Sequence, residues 1–148
     1  MNEDKLNRLP PDVKKQFIKL ASKLSEKKQK TKVHDDFLTF VKHVWPEFIE
    51  GAHHKKIAEK FNDIANKKIK RLIINMPPRH TKSEFASFLL PAWMVGRRPN
   101  LKIIQSTHTT ELAIRFGRKA KTLMDSPEYK QVFDTRLRED SQAAGKWE

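Results

Sequence analysis

Apolar positions change their spacing along this chain, and the spacing predicts the elements. After Pro10-Pro11, Asp12 can open a helix in which Val13, Phe17, Leu20, Ala21 and Leu24 recur at i, i+4, i+7, i+8 and i+11 as one narrow stripe. The other face is almost all lysine. It reads either as the solvated side of a peripheral element or as a DNA-contacting or partner-docking arm. Glu26 to Lys32 contains no apolar residue and reads as a linker. Asp35-Asp36 precedes a compact apolar helix carrying Phe37, Phe40, Val41, Val44 and Trp45 and stopped by Pro46. Gly51 introduces a third helix with Ile57, Phe61, Ile64 and Ala65 on one side.

From residue 71 the pattern is different. Arg71-Leu72-Ile73-Ile74-Asn75-Met76 is a short β-branched run closed by Pro77-Pro78, apolar on both sides, and predicts a buried strand of the parallel type. Ser83 to Val95 is apolar on most faces and predicts a buried helix, kinked or interrupted near Pro91. Leu101-Lys102-Ile103-Ile104-Gln105-Ser106 predicts a second strand. A last helix follows, with Leu112, Ala113, Phe116, Ala120, Leu123 and Met124 on one stripe and Asp125-Ser126-Pro127 ending it. Strand, loop, helix, strand, helix is a βαβα unit, so the expected class is α/β with a parallel sheet. Such sheets usually have about five or six strands. Either more strands lie after Ser126 or the chain holds only part of its domain.

Composition narrows the partners. Lys and Arg number 31 against 18 Asp and Glu, a net charge of +13, so polyanions lead: nucleic acid, nucleotide phosphates or an anionic membrane face. With no cysteine, disulfides, thiolate zinc sites and a cysteine nucleophile are all excluded. The longest mostly apolar stretch, Phe85 to Val95, is too short to cross a bilayer, and the first residues lack the apolar run of a signal peptide. The expectation is a soluble, intracellular, basic protein.

The loop after the first expected strand is the candidate site. It reads Pro77-Pro78-Arg79-His80-Thr81-Lys82-Ser83. In a parallel α/β fold, a loop between the carboxyl end of a strand and a helix is where phosphates bind. Lysine followed by serine at the first turn is the chemistry of a phosphate loop: the ammonium reaches the β- and γ-phosphates, the hydroxyl ligates Mg²⁺, and loop N–H groups surround the phosphate oxygens. The pattern G-x-x-x-x-G-K-[ST] is met imperfectly, because Met76 and Thr81 stand at its glycine positions. Glycine there permits positive φ, which is costly for threonine. Two prolines also remove two N–H donors.

Leu72-Ile-Ile-Asn-Met-Pro-Pro-Arg-His-Thr-Lys-Ser-Glu84 resembles the ATPase phosphate loop of the large terminase subunit of tailed bacteriophages, one branch of which writes the loop Met-Pro-Pro-Arg-His-Gly-Lys-Ser. Pro91-Ala-Trp93, Lys102-Ile-Ile, Phe116-Gly-Arg118, Asp125-Ser-Pro-Glu-Tyr129 and Asp140-Ser-Gln-Ala-Ala-Gly-Lys-Trp147 follow in that family's order, and His53-His54-Lys55-Lys56-Ile57 resembles its segment upstream. The likeness covers residues 34–148. It implies a P-loop NTPase of the RecA-like, parallel-sheet class that hydrolyses ATP with Mg²⁺ to drive double-stranded DNA into a capsid, alongside a small terminase subunit and the capsid portal, in the host cytoplasm. It also implies a following nuclease domain. By this resemblance Arg79, His80, Thr81, Lys82 and Ser83 hold the nucleotide. Lys82 takes the β/γ-phosphates, Ser83 the Mg²⁺, and Arg79 stabilises charge at the γ-phosphate as the catalytic arginine. His54 stands where many relatives keep an adenine-reading Gln.

Such an ATPase also needs an apolar strand ending in Asp for the metal shell and then a Glu that polarises water. No run of four apolar residues after Ser106 ends in Asp or Glu. Residues 35–148 therefore read as the leading half of the ATPase domain behind a basic helical arm, residues 1–34, and the chain alone is expected not to turn over ATP. Two other functions fit the same residues: a non-catalytic basic module that holds DNA or a partner, and a different phosphate-loop machine such as a helicase.

Overall fold

In a computed structural model, the described residues are 10–135 together with the backbone of 142–143 and 146–147. Their contacts divide into two units, the first ending at Thr31 and the second beginning at Lys32. The regular elements are α1 (Pro11–Asp35), α2 (Phe37–Val44), α3 (Ala52–Ala65), α4 (Lys82–Glu84), a π-helical turn (Phe85–Leu89), α5 (Leu90–Arg97), α6 (Thr110–Asp125), α7 (Pro127–Lys130), β1 (Gln142–Ala143) and β2 (Lys146–Trp147).

This corrects the expected class. The described residues are helical, with no parallel sheet among them; their one strand pairing is the antiparallel contact of β1 with β2, which matches Gln142 to Trp147 and Ala143 to Lys146. The two apolar runs that predicted strands form none. Residues 71–75 and 102–106 make no backbone–backbone hydrogen bond with another described residue. Along residues 71–76 burial alternates: Leu72, Ile74 and Met76 pack on the core, whereas Ile73 is 86% exposed. That is the signature of a single extended segment lying on helices, with one face covered rather than two. In the other run Ile104 is 96% exposed. A pair of strands is too few for an independently stable sheet.

The stretch read as a linker is helical. α1 runs through Glu26 to Lys32 without a break. Lys, Glu and Gln are good helix formers and neither Gly nor Pro interrupts the run, so absence of apolar residues does not end a helix. Other helices follow their patterns. Asp36 caps α2, its carboxylate accepting the Thr39 N–H and hydroxyl at 2.7 Å each, while Asn62 of α3 donates to it at 2.8 Å and accepts the Phe37 N–H at 2.9 Å. That cap also joins α2 to α3. Burial alone would raise the carboxyl's pKa, but the bonds from Thr39 and Asn62 and the nearby Lys42 charge outweigh it and hold the value below its usual range.

The core of the second unit is aromatic. Phe37 meets Phe61, Phe85 and Trp93 edge-on at 5.1, 5.4 and 5.4 Å between ring centres. Trp93 donates its indole N–H to the His34 carbonyl at 3.1 Å, and the buried Tyr129 hydroxyl donates to the Ala92 carbonyl at 2.8 Å. Gly96 is required by close approach: a Cβ there would stand 2.6 Å from both Phe133 Cγ and the Tyr129 hydroxyl.

The expected interruption near Pro91 takes the form of the π turn. Residues 82–97 follow one another helically, and the Leu90 N–H bonds the Phe85 carbonyl five residues back. Pro91 has no N–H to give Ser87, and its ring would crowd that carbonyl in a regular α-helix. Inserting one residue into the preceding turn moves the carbonyl aside.

Candidate phosphate-binding site

The loop of residues 77–81 enters α4 through two residues in the left-handed region, Arg79 at φ 63° and Thr81 at φ 57°, ψ 6°. Position 81, where the phosphate-loop pattern has glycine, thus takes a conformation that glycine adopts freely and a β-branched residue adopts at a cost of about 1–2 kcal/mol. Threonine holds it through side-chain bonds. The Thr81 hydroxyl donates to the His80 carbonyl at 2.7 Å and accepts from His54 Nε2 at 2.6 Å. His80 Nδ1 in turn donates to the Pro78 carbonyl at 2.9 Å.

His54 is the post against which the loop rests. It lies in the first turn of α3 and is only 6% exposed. Gly51 N–H donates to its Nδ1 at 2.9 Å, which makes Nδ1 an acceptor and leaves the proton on Nε2, facing Thr81. The ring is neutral. Burial lowers its pKa first, and the neighbouring His53 and His80 lower it further, against a smaller opposing pull from Glu50. The His53 ring centre is 3.8 Å away, and Phe48 and Phe85 close the other sides at 4.8 and 5.1 Å. Both ring nitrogens are engaged within the protein, Nδ1 with Gly51 and Nε2 with Thr81, so in this arrangement His54 supports the loop. Sequence reading missed this contact, which joins residues 27 apart. The one local signal was the placement of His54 three residues after Gly51, where its ring can cap α3.

Lys82 and Ser83 open α4. Lys82 is half-buried and its ammonium points back to the Met76 carbonyl at 3.4 Å, and among the described residues no carboxylate pairs with it. Ser83 is exposed, as are Arg79 and His80. Glu84, next in the chain, is drawn off by Lys119 of α6, whose ammonium lies 2.8 and 2.9 Å from its two oxygens. The structure therefore brings Arg79, His80, Thr81, Lys82 and Ser83 into one exposed basic turn, with His54 beneath it. Trp45 packs on Phe48 at 5.5 Å and Trp93 is fully buried, so both serve packing; the side chain of Trp147 lies outside the described residues.

The chemistry of these donors fits a phosphate. An ammonium, a guanidinium, a hydroxyl and the N–H groups of a turn with alternate residues in the left-handed region are anion ligands. For a divalent cation this turn offers the Ser83 hydroxyl, since that of Thr81 is bonded to His54 and the His80 carbonyl, and among the described residues no cluster of three His, Cys, Asp or Glu side chains could hold a metal. A cation would have to arrive with its phosphates. No helix among the described residues is long and apolar enough to cross a membrane.

Comparison with known protein families, with curated proteins and with solved structures finds no match to this chain.

Proposed function

We propose that residues 76–83 bind the phosphates of ATP, and that the chain is the nucleotide-binding part of a viral DNA-packaging protein of the kind the large terminase subunits represent. The observation that supports this reading is the left-handed conformation of Thr81 immediately before Lys82 and Ser83, which reproduces at a non-glycine residue the backbone that the phosphate-loop pattern writes as glycine. The resemblance of residues 72–84 to the terminase loop supports the nucleotide as ligand; the parallel sheet once expected around it is not part of the proposal. Lys82 would leave the Met76 carbonyl for the β- and γ-phosphates. Arg79 would lie against the terminal phosphate. Ser83 would give its hydroxyl to the Mg²⁺ that accompanies ATP, an ion that shields phosphate charge when bound. Among the described residues no carboxylate bonds this turn, and Glu84 is held by Lys119. We therefore expect binding without turnover by the isolated chain.

Titration calorimetry of Mg-ATP against the chain and its Lys82→Ala variant tests the reading. A charge-assisted bond contributes about 1.5–3 kcal/mol, so Lys82→Ala should weaken binding by about tenfold or more. Equal affinities would end the nucleotide assignment, and Lys82-dependent ATP hydrolysis would overturn the expected inactivity. The helical architecture and the net charge of +13 favour one second reading, a basic module that holds duplex DNA without nucleotide chemistry. In that case DNA affinity falls steeply with salt while Lys82→Ala leaves it unchanged.

A further inference from the structure

α1 presents an apolar seam that no described residue of its own unit covers. Val13, Phe17, Leu20 and Leu24 lie at intervals of four, three and four residues and are 45%, 39%, 58% and 52% exposed. At 100° per residue they fall within a strip about 60° wide. A helix facing a globular core shows a broader stripe, whereas this width and spacing belong to a two-stranded coiled coil. The next seam position is Lys27, so the seam is about two heptads long.

The charges beside the seam choose the occupant. Lys23, Lys28 and Lys30 take flanking positions and no acidic residue does. A second copy aligned in parallel would set Lys23 against Lys28 of its partner, and like charges across these positions oppose pairing. A lipid surface fits poorly, because Lys28 projects at the edge of a strip only four side chains long, and interfacial helices offer a large apolar face. Duplex DNA could use Lys15 and Lys19 on the far side of the helix, but that would leave the seam in water.

We propose that residues 13–30 dock a helix of a second protein that carries apolar residues on its seam and Glu or Asp beside it, forming a short heterodimeric coiled coil. This surface is independent of the phosphate-binding turn, and its failure would leave that reading untouched.

The full chain is titrated with two synthetic helices of four heptads, both with leucine on the seam, one flanked by glutamate and the other by lysine. The Glu-flanked helix should bind one to one, the Lys-flanked helix should not, and the complex should weaken with salt. Leu20→Gln together with Leu24→Gln keeps helix propensity and removes the seam, and should weaken binding by at least about tenfold. Lys23→Glu with Lys30→Glu should transfer preference to the Lys-flanked helix. Absence of binding by the Glu-flanked helix, or binding that ignores either pair of substitutions, overturns the proposal. So does a dimer of the chain, or retention on phosphatidylglycerol vesicles, that Leu20→Gln with Leu24→Gln abolishes.

Discussion

Replacing Thr81 by glycine and by valine separates two contributions that the turn combines. Threonine at φ 57° carries a backbone cost of about 1–2 kcal/mol, which glycine would relieve. Against this stands the greater freedom glycine loses on folding, about 0.5–1 kcal/mol, and loss of the bond from His54 Nε2, a further ~1 kcal/mol or somewhat more because that N–H is buried. Thr81→Gly should therefore lie within about 1 kcal/mol of wild type, slightly destabilised at the middle of these ranges. Valine keeps the branched Cβ and the strain while removing the hydroxyl, so it loses the bond and recovers nothing, and should cost about 1–3 kcal/mol. The expected order is wild type, then glycine, then valine, with about 1 kcal/mol between the two variants. Urea unfolding followed by the fluorescence of the buried Trp93 gives the three stabilities. A valine variant as stable as the glycine variant would mean that residue 81 is not left-handed in solution, and the argument from glycine-like backbone would collapse.

Other consequences follow from groups in the core and around the turn. Asp36→Ala removes a cap that also holds Asn62, and should cost about 1–2 kcal/mol by urea titration, with Asp36→Asn nearer wild type. Because the folded pKa of Asp36 lies below its ordinary 3.8, its contribution is complete above that value and is lost as pH falls through the lower folded value; the Ala variant should show a smaller acid-induced loss. His54 has a folded pKa below its ordinary 6.5, so the unfolded chain takes up its proton first as pH drops. Stability should fall as pH descends from about 7 past 6.5 and level off below the folded value, and His54→Gln should flatten that slope in urea midpoints measured across pH; an unchanged slope would deny the neutral, buried ring. Phe37→Ala removes the ring on which Phe61, Phe85 and Trp93 converge and should cost about 3–5 kcal/mol, read from the same unfolding curves.

The helices with strong periodicity were legible because their apolar side chains had only one face to bury. Phe37, Phe40 and Val41 are fully buried, and Phe116, Ala120 and Met124 form the inner stripe of α6 as their spacing requires. The Asp36 cap was legible for the same local reason. What failed was the inference from a short apolar run to a strand. Leu72-Ile73-Ile74 and Ile103-Ile104 carry β-branched residues, but a strand exists only when another strand takes its backbone bonds, and no local pattern states where that partner is. Glu26 to Lys32 misled in the opposite sense, since a solvated helix needs good formers and no apolar residue. At the candidate site, Thr81 was marked as the residue that positive φ would strain, and it does have positive φ. His54 was legible as a nearby ring and not as the partner of Thr81, because their contact depends on how α3 lies beside the turn.

The π turn has a mechanical implication for any change of length. With one residue more than a regular helix needs, the stretch from Phe85 to Leu89 sets the angular phase between the basic turn at one end and the Trp93 anchor at the other. Deleting a single residue there, such as Ala86, would wind the helix into ordinary register and swing Lys82 and Ser83 around its axis by about 100°, turning them away from Met76 while the aromatic anchor stayed in place. The bulge that accommodates Pro91 is thereby also the dial on which the orientation of the loop is set.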